Sequence, residues 1–494
     1  RDVLGSRGLG DVYKRQDYNF KKRLEGIMIS KKRALEILNI ALKTGAEYAE
    51  IYQQEEIKRV ISVNFKRVDV VSTSLIAGIG LRLIKNGKQV YGYTSDLSLK
   101  SLNNLAEQLS SSFEGEQEVF VKELNSPKKK TINEVLKPIE DVSTEVILAK
   151  LKLAEKAAYD VSEQIVNCNI AFLGDINNVT VFNSDGVVTS DLRSNVRGIV
   201  AVTSMNEKGS YGSHFEGPGA MGGYEKFEAV DLVELAKHSA DMAIKKSNAP
   251  DSPSGNMTVV LGNAFGGVLF HEACGHPLEA CAIATNMSKM AGKLGEKIAS
   301  DVVTAVDDGT INGAWGSINY DDEGHESTKN VLIKNGVLQN YMVDRFYGKK
   351  LGLEATGSER RQSYRFLPTT RMTNTYIAAG KSKPEEVIAS VKYGLYLKSF
   401  RGGSVDPSTN NFNFSCDEAY IIRDGKICEL VKPVILVGFG YEILKKIDMV
   451  ADDLKLAAGN CGSSSGNVYV QVGQPTLRIS GITVGGSMKE GEAE

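Results

Sequence analysis

Residues 257 to 277 read MTVVLGNAFGGVLFHEACGHP, an apolar run followed by a glycine-rich turn and a segment with two histidines. The run Met257 to Leu261 predicts a strand, and Gly262-Asn263 predicts the turn into a helix. This helix ends in His271-Glu272-Ala273-Cys274-Gly275-His276. Two imidazoles beside a carboxylate are the groups from which a zinc hydrolase assembles its metal site and general base.

The spacing of the histidines differs from that of the HExxH motif. At about 3.6 residues per turn, positions i and i+5 point roughly 140° apart, so His271 and His276 would face different neighbours. Gly275 tolerates unusual backbone angles, and Pro277 disfavours helical geometry at the residue before it. A π-bulge would bring both histidines near one face. We therefore predict a deformed helix end with a metal site; the alternative is a helix end with two structural histidines.

The length of the chain indicates how many domains it contains, and its charge balance indicates which partners it does not attract. The chain has 494 residues, 59 of them basic and 61 acidic, which predicts at least two domains and no overall field for nucleic acid or anionic lipid. It has six cysteines without a regular framework, no secretory signal and no apolar run of membrane-spanning length. We expect a cytoplasmic protein without nucleic-acid or membrane partners.

Composition shifts suggest the domain boundaries. Residues 1–16, RDVLGSRGLGDVYKRQ, resemble a translated sequencing adapter and are expected to be non-native, with Met28 a plausible start. Residues 17–250 are predicted to form an N-terminal region, with a charged, solvated linker near 114–141. The proline-rich stretch 248–255 marks the boundary to a C-terminal domain over 251–494.

Periodicity predicts an α+β fold. Helical patterns begin at Ser30 and cover 97–113, 142–159 and 227–246, whereas 209–223 looks like a glycine-rich loop with an exposed His214. Strands are predicted at 48–54, 59–64, 74–84, 89–94, 166–174, 178–182 and 187–190. The N-terminal region is thus expected to combine antiparallel sheets with packed helices. The C-terminal domain is expected to be β-rich, with the HExxxH helix embedded and hairpin turns at 307–309, 334–336 and 423–425.

A zinc ion that keeps one position open for water needs a third protein ligand. Spacing alone does not identify it. The side chains that offer a thiolate, a carboxylate or an imidazole are Cys274, Glu279, Cys281, His325 and Cys461.

Five further motifs follow the histidine motif in order and carry a resemblance. They are Ala291-Gly292-Lys293-Leu294-Gly295-Glu296-Lys297, Asp321-Asp322-Glu323-Gly324, Arg371-Met372-Thr373-Asn374-Thr375-Tyr376, Phe412-Asn413-Phe414 and Gly473-Gln474-Pro475-Thr476-Leu477. Together they resemble the TldD/PmbA family of cytoplasmic metallopeptidases over about residues 255–486, with looser similarity before that.

This resemblance implies a set of roles. The HExxxH helix would supply His271 and His276 as zinc ligands, Cys461 would be the third ligand, and Glu272 would be the general base. It further implies one zinc ion per catalytic subunit and short or unfolded peptides as substrates, bound in extended form. The relevant processes would be maturation of a peptide precursor or protein turnover.

The resemblance also implies assembly as a homodimer, or as a heterodimer with a motif-lacking PmbA-like paralogue. Because His271, Glu272 and His276 are all present, the chain resembles the catalytic members. It departs from the family pattern at Cys281, where an acidic residue is expected, and at His325, where a small polar residue is commoner. Candidate substrate contacts are His325, Arg371 and Tyr376.

Two alternatives stand beside the peptidase hypothesis. The chain would instead be a non-catalytic peptide-binding scaffold, or the partner subunit of a peptidase, if its histidines were structural. A cysteine peptidase using Cys274 is disfavoured because Cys274 and His276, at i and i+2, do not face each other on a helix.

Overall fold

The computed structural model describes residues 28–128, 131–405, 409 and 411–487. The expected adapter-like segment 1–16 lies outside these residues. Among the helices described, none combines the length and the hydropathy needed to span a bilayer.

The described part of the chain contains both α-helices and β-strands. The helices outside the histidine motif are α1 Lys31–Leu42, α2 Leu99–Ser110, α3 Thr144–Tyr159, α4 Tyr224–Glu228, α5 Leu232–Ser247, α6 Ala280–Ala284, α7 Arg345–Leu351, α8 Pro384–Ala389 and α9 Gly440–Lys446. The strands of the first half are β1 Tyr48–Asn64, β2 Arg67–Lys85, β3 Lys88–Thr94, β4 Ile165–Asn183, β5 Val188–Met205, β6 Tyr211–Glu216 and β7 Gly219–Met221.

The second half contains shorter strands. They are β8 Gly255–Leu261, β9 Ala305–Asp308, β10 Lys329–Lys334, β11 Val337–Leu338, β12 Glu359–Arg360, β13 Thr369–Thr370, β14 Asn374–Ile377, β15 Tyr393–Val405, β16 Asn411–Arg423, β17 Lys426–Val431, β18 Val434–Phe439, β19 Ile447–Val450, β20 Lys455–Ser463, β21 Gly466–Gln474 and β22 Leu477–Gly485. The predicted α+β class is confirmed.

One long antiparallel sheet organises the N-terminal half, in the order β3-β2-β1-β4-β5-β6, with β7 beside β5. Alternate residues of β1 point to opposite faces of this sheet. Ile51 and Ile61 are buried against helices, in clusters that include residues of α1 and α2, and of α3 and α5, respectively. Glu50 and Tyr52 on the other face are equally buried, near side chains of the C-terminal half. The sheet therefore has an apolar helical face and a polar face toward the second domain.

The predicted helices of this half begin where the sequence places a capping side chain. A serine or aspartate oxygen accepts from a backbone N–H of the first turn, which satisfies one of the otherwise unpaired donors. The capping residues are Ser30 for α1, Ser98 for α2, Ser143 for α3 and Asp231 for α5.

Several local predictions for this half differ from the structure. The segments 48–54 and 59–64 form the single strand β1, and 166–182 lies within β4, because the charged residues between the apolar runs face the second domain. The glycine-rich stretch 209–223 contains β6 and β7, and His214 is buried. The helix predicted at 227–246 is split between α4 and α5.

The charged stretch 114–141 is partly packed on the sheet instead of being solvated throughout. Asn125 forms a parallel bridge with Val187, and the side chains of Val121 and Leu124 are buried in the cluster around α1 and α2. Ile139, near the end of the stretch, is buried in the cluster around α3 and α5. These apolar residues are widely spaced among charged ones, which explains why periodicity did not reveal the packing.

Two larger sheets and the two-stranded sheet β12–β13 are described in the C-terminal half. In one of the larger sheets the order is β11-β10-β9-β14-β21-β20. In the other, β15, β8, β22, β18 and β16 pair in turn and β16 pairs again with β15, so the ring of pairings closes. The predicted turns at 334–336 and 423–425 connect hairpins, whereas the one at 307–309 does not, because β9 pairs with β10 and β14.

Buried charges join the two halves. Arg82 of β2 donates to Glu50 at 2.6 Å, to Glu323 at 2.5 Å and to Glu359 at 2.5 Å, and all four side chains are buried. Since Glu323 and Glu359 belong to the C-terminal half, the guanidinium links the domains through three carboxylates. Removal of Arg82 would leave buried acidic side chains of both halves without this partner, which is strongly destabilising.

A hydrogen bond from β21 also connects the two halves of the chain. The Tyr469 hydroxyl of β21 donates to Asp175 Oδ1 of β4 at 2.8 Å. Burial, together with the nearby charge of Glu56, raises the pKa of Asp175 to about 8, against the lowering effect of the Tyr469 hydrogen bond. The protonated acid is therefore the form that the fold favours.

We predict that Asp175→Asn makes the protein relatively more stable as the pH rises. A carboxyl with a raised folded pKa stabilises the fold fully below its unfolded pKa of about 4, and this contribution is lost as the pH rises through about 8. The amide cannot ionise. Urea unfolding of both proteins measures the free energy of unfolding at pH 5 and pH 9. Relative to the native chain, this free energy should be higher for the variant at pH 9 than at pH 5. An equal difference between the two proteins at both pH values would contradict this assignment.

Candidate metal centre

The histidine motif lies on a short helix of mixed geometry that follows β8. Residues Ala264–Gly267 form a 3₁₀ turn, Val268–Phe270 an α-turn, His271–Gly275 a π-turn and His276–Leu278 a second 3₁₀ turn. The N–H of His276 donates to the carbonyl of His271, five residues earlier. The predicted deformation of the helix end is therefore confirmed. Val268, Leu269 and Phe270 are buried and anchor the helix in the C-terminal core.

Gly275 is required for a different reason from the one that the sequence suggested. Its φ of −60° and ψ of −58° are ordinary right-handed helical angles. A Cβ built at this position would lie 2.2 Å from Met372 Sδ, a distance that no real contact allows. Glycine is therefore needed for the close approach of Met372. Pro277 does not end the helix at once, because the 3₁₀ turn continues to Leu278 before Glu279 becomes extended.

Cys461 lies beside the two imidazoles although it is far away in sequence. Its Sγ is 3.2 Å from His271 Nε2 and 3.2 Å from His276 Nε2, at the end of a hairpin formed by β20 and β21. The three potential ligand atoms all lie within 4.8 Å of one another. The structure thus brings together the three residues of the expected ligand set.

This arrangement fits a zinc ion. With a Zn–S bond of about 2.3 Å and Zn–N bonds of about 2.0–2.1 Å, tetrahedral angles place sulfur and nitrogen roughly 3.6 Å apart. The observed 3.2 Å is within a few tenths of an ångström of that separation. One sulfur and two imidazole nitrogens are also a donor set that zinc prefers, and three protein ligands leave the fourth position open.

Glu279 orients one of the imidazoles. Its Oε1 lies 3.1 Å from Nδ1 of His276, so an N–H at Nδ1 donates to Glu279 and Nε2 is directed at the cluster. His271 differs, because its buried Nδ1 has no hydrogen-bond partner within the described residues. The sequence offered Glu279 as a possible ligand. In the structure its carboxylate contacts the far nitrogen of His276 and lies outside the group of His271, His276 and Cys461.

The charges of the cluster favour a thiolate. Burial alone would raise the pKa of Cys461, but the charges and hydrogen bonds of His271 and His276 lower it to about 3. Burial opposes protonation of His276, yet Glu279 and Cys461 together hold its pKa well above the ordinary value. Without a metal, thiolate and imidazolium stabilise each other; a divalent cation would take the place of the protons.

Glu272 lies at the rim of the cluster. Its Oε2 is 3.8 Å from His276 Nε2, and 21% of its side chain is exposed, whereas His271 is fully buried. Burial raises the pKa of this carboxyl, and the two histidines partly offset that effect. A carboxylate of raised basicity beside an open coordination position has the geometry of a general base.

The other candidates for the third ligand lie outside this cluster. The Cys274 thiol is buried and donates to the carbonyl of Gly440, and burial raises its pKa, so it offers neither a ligand nor an accessible nucleophile. Cys281 Sγ lies 3.9 Å from the second oxygen of Glu279, with its pKa raised to about 12 by burial and by the Glu279 charge. His325 lies beside Glu323, at the Arg82 interface.

Two further groups of potential ligands occur in the described part of the chain. One contains Asp321, Glu323 and His325, where Arg82 and backbone N–H groups already occupy the carboxylate oxygens. The other contains His214, Glu216 and His238, where the Lys246 ammonium lies 2.8 Å from His214 Nδ1. Positive side chains that face both groups disfavour a cation there.

The remaining sequence-based candidates for substrate contacts are also buried. Arg371 is fully buried, and its guanidinium donates to the carbonyls of Cys461 and Gly466 and to Ser465 Oγ. Tyr376 is 7% exposed and lies on β14 opposite Gly473. This burial does not favour direct contact between Arg371 and a substrate. Tyr376 and His325 are not brought to the cluster by any described contact.

Comparisons with known proteins match most of the chain. Models of the PmbA/TldA metallopeptidases match in three parts: domain 1 at residues 49–112, the central domain at 137–246 and the C-terminal domain at 254–486. A "Metalloprotease TldD homolog" of Haemophilus influenzae is 36% identical over 475 residues, which cover 93% of this chain and 97% of that protein. A protein of the same description from Buchnera aphidicola is 34% identical, covering 90% and 93%.

A "Zinc metalloprotease TldD homolog" of Saccharolobus solfataricus is 29% identical over 262 residues, 53% of this chain and 58% of that protein. Among solved structures, TldE from Thermococcus kodakarensis superposes with a TM-score of 0.73 at 18% identity, covering 91% of this chain and 99% of that one. The structural likeness supports the fold alone.

We predict that Glu279→Gln weakens zinc binding without unfolding the protein. The amide keeps the size of the side chain but loses the charge that fixes the tautomer of His276 and raises its basicity. Loss of such a second-layer partner costs about 10- to 100-fold in metal affinity. Competition with a chromophoric chelator measures this change, with Glu326→Gln, on the irregular segment before β10, as a control. Unchanged affinity in Glu279→Gln would contradict the role assigned to Glu279.

Proposed function

This chain belongs to the PmbA/TldA family of metallopeptidases, and we propose that it is a zinc-dependent peptidase that hydrolyses short or unfolded peptides. The observation that carries the proposal is the meeting of His271, His276 and Cys461, with the Glu272 carboxylate beside them at a partly exposed rim. A buried thiolate between two imidazoles, next to a largely buried carboxylate that keeps some contact with solvent, is suited to metal-assisted hydrolysis.

The side chains divide the chemistry between them. A zinc ion held by His271, His276 and Cys461 would supply a Lewis acid that lowers the pKa of a bound water toward about 7 and polarises a peptide carbonyl. Glu272 accepts the proton of the attacking water and returns it to the leaving amine. Because burial raises its pKa, this carboxylate is a better proton acceptor than an exposed glutamate. Glu279 keeps the His276 ring in the orientation that directs Nε2 inward.

The expected substrate form is an extended peptide. β20, which carries Cys461, is the terminal strand of its sheet, and no described strand pairs with its outer edge. Three carbonyls of β20 already accept from side chains, so a peptide would pair with the part of the edge that these donors leave free; the carbonyls are those of Ala458, Gly459 and Cys461. A peptide that adds along a sheet edge is held through its main chain, so varied side chains are tolerated. This mode suits precursor maturation or turnover of unfolded chains in the cytoplasm. The six unpaired cysteines are consistent with such a reducing compartment.

The decisive test of the peptidase proposal pairs two kinds of variant. Glu272→Gln should retain about one zinc per active site but lose most cleavage of an unfolded peptide, because the ligands remain and the proton acceptor is gone. His271→Ala and Cys461→Ala should lose the zinc as well. Metal analysis and mass spectrometry of peptide fragments measure both effects.

The non-catalytic scaffold predicts the opposite pattern. It requires that the native chain binds no stoichiometric zinc, or that chelation leaves peptide cleavage unaffected. Full cleavage by metal-free Glu272→Gln protein would overturn the peptidase proposal.

We further propose that the chain assembles with a second copy of itself or with a motif-lacking relative. An apolar row on β18 supports this assembly: Ile435, Val437 and Phe439 are each close to half exposed, on alternate positions of one face. Exposed rows of this kind mark interaction surfaces more often than single apolar residues do.

We predict that Val437→Lys disrupts this assembly, because it places a charge in the centre of the row while leaving the fold intact. Light scattering of the purified native chain should give a dimer, or a monomer that dimerises when the relative is added, and Val437→Lys should remain monomeric in both cases. Exposed Leu153→Lys is the matched control. An unchanged mass in Val437→Lys would show that this face is not the interface.

A further inference from the structure

Two consecutive residues, Arg371 and Met372, lie between the two parts of the ligand set. They connect β13 to β14, and neither is exposed to solvent. The ligands come from separate places, since the histidines belong to the motif helix and Cys461 belongs to the β20–β21 hairpin. The first turn of the motif helix packs directly on β21, where a Cβ on Gly267 would lie 2.4 Å from the Gly473 carbonyl oxygen. Arg371 and Met372 add contacts at the end where the histidines and Cys461 lie.

Arg371 donates three hydrogen bonds to the end of the β20–β21 hairpin. Its Nη2 donates to the carbonyl of Cys461 at 2.5 Å, and its Nη1 donates to the carbonyl of Gly466 at 2.8 Å and to Ser465 Oγ at 2.9 Å. All three acceptors lie on the end of the hairpin that carries the thiolate. The rigid, planar fork of a guanidinium holds several acceptors in one fixed arrangement, which a flexible ammonium does not.

Met372 packs against the motif helix from the same position in the chain. Where a Cβ on Gly275 would stand, Met372 Sδ is 2.2 Å away and Met372 Cε is 3.1 Å away. Gly275 is the residue immediately before His276, within the π-turn. The thioether thus fills the space that glycine leaves open and limits how far the turn can move.

The dipeptide is itself held from both sides. The N–H of Arg371 donates to the carbonyl of Ser358 at 2.8 Å, and the carbonyl of Met372 accepts from Arg360 Nη1 at 3.0 Å. The next residue, Thr373, donates through its N–H and its hydroxyl to Asp307, each at 2.8 Å. These contacts leave the main chain of the dipeptide little freedom.

We propose that Arg371-Met372 is the positioning element that sets the distance between the Cys461 sulfur and the two imidazoles, and thereby the affinity of the site for its metal. This inference rests on the proposed zinc site. Neither residue touches the reacting groups, so their role is positioning and not catalysis. Arg371 then acts on the ligand Cys461 through its main-chain carbonyl and not through its sulfur.

The experiment compares variants of graded severity. Arg371→Lys keeps the charge but not the fork, Arg371→Met removes both, and Met372→Leu keeps the volume of the side chain. Arg361→Lys is the matched control, since Arg361 is equally buried and donates to Glu50 and to the carbonyl of Asp322 at the domain interface. Circular dichroism establishes that each variant is folded.

Two readouts report on the metal without using activity. Zinc affinity is measured by competition with a chromophoric chelator, and the coordination is measured from the sulfur-to-cobalt absorption band of the cobalt-substituted protein. We expect Arg371→Lys to lose about 10- to 100-fold in affinity, as is typical of outer-layer partners, with Arg371→Met more severe. The band should weaken or shift in the variants of Arg371 and Met372 and remain native in Arg361→Lys.

The outcomes separate this inference from the proposed function. If native protein binds cobalt without a sulfur band, Cys461 is not a ligand and the proposed centre itself fails. If the native band is present, and Arg371→Lys shows native affinity and a native band, the positioning role is overturned. The same conclusion follows if Arg361→Lys loses as much affinity as Arg371→Lys, because the effect is then a general loss of stability.

Discussion

The hydrogen bond from the His276 N–H to the His271 carbonyl is the constraint on which this molecule's site depends. A regular helix would separate the two imidazoles by roughly 140°, whereas the π-turn aims both at one point. Because Gly275 has no Cβ, Met372 Sδ packs directly against this turn. The absence of a Cβ on Gly275 thus allows Met372 to contact the turn that carries both imidazoles.

The rest of the fold supplies the third ligand and keeps it in place. Cys461 reaches the imidazoles because β21 pairs in parallel with β14, which follows Arg371-Met372 directly in the chain. The N-terminal sheet then covers this region through its polar face, with Arg82 bound to carboxylates of both halves. Buried ion networks contribute little net stability but restrict geometry, which is the property that a metal site requires.

The sequence predicted those features that depend on local pattern. The capped helices, the hairpin turns at 334–336 and 423–425, and the deformed end of the motif helix all follow from residues close together in the chain. The resemblance to a family pointed to Cys461, which spacing alone left among five candidates. The role of Glu279 was within reach, because a carboxylate three residues after His276 lies on the same side of a helical turn.

Features that depend on distant contacts were not predictable in this way. Arg371 looked like a residue for substrate contact, yet its partners are carbonyls about 90 residues later in the chain. The charged middle of β1 interrupted the apolar pattern because one face of the strand is polar and turned toward the C-terminal half, where Arg361 pairs with Glu50. Buried polar faces of this kind carry no apolar periodicity, so tertiary contacts override the local signal.

X-ray absorption at the zinc edge of the purified chain tests directly whether His271, His276 and Cys461 bind the metal. We expect one sulfur ligand at about 2.3 Å and two imidazole nitrogens at about 2.0–2.1 Å, with the remaining position taken by a light atom. A zinc shell with no sulfur, or with two, would contradict the assignment of His271, His276 and Cys461 as the ligand set.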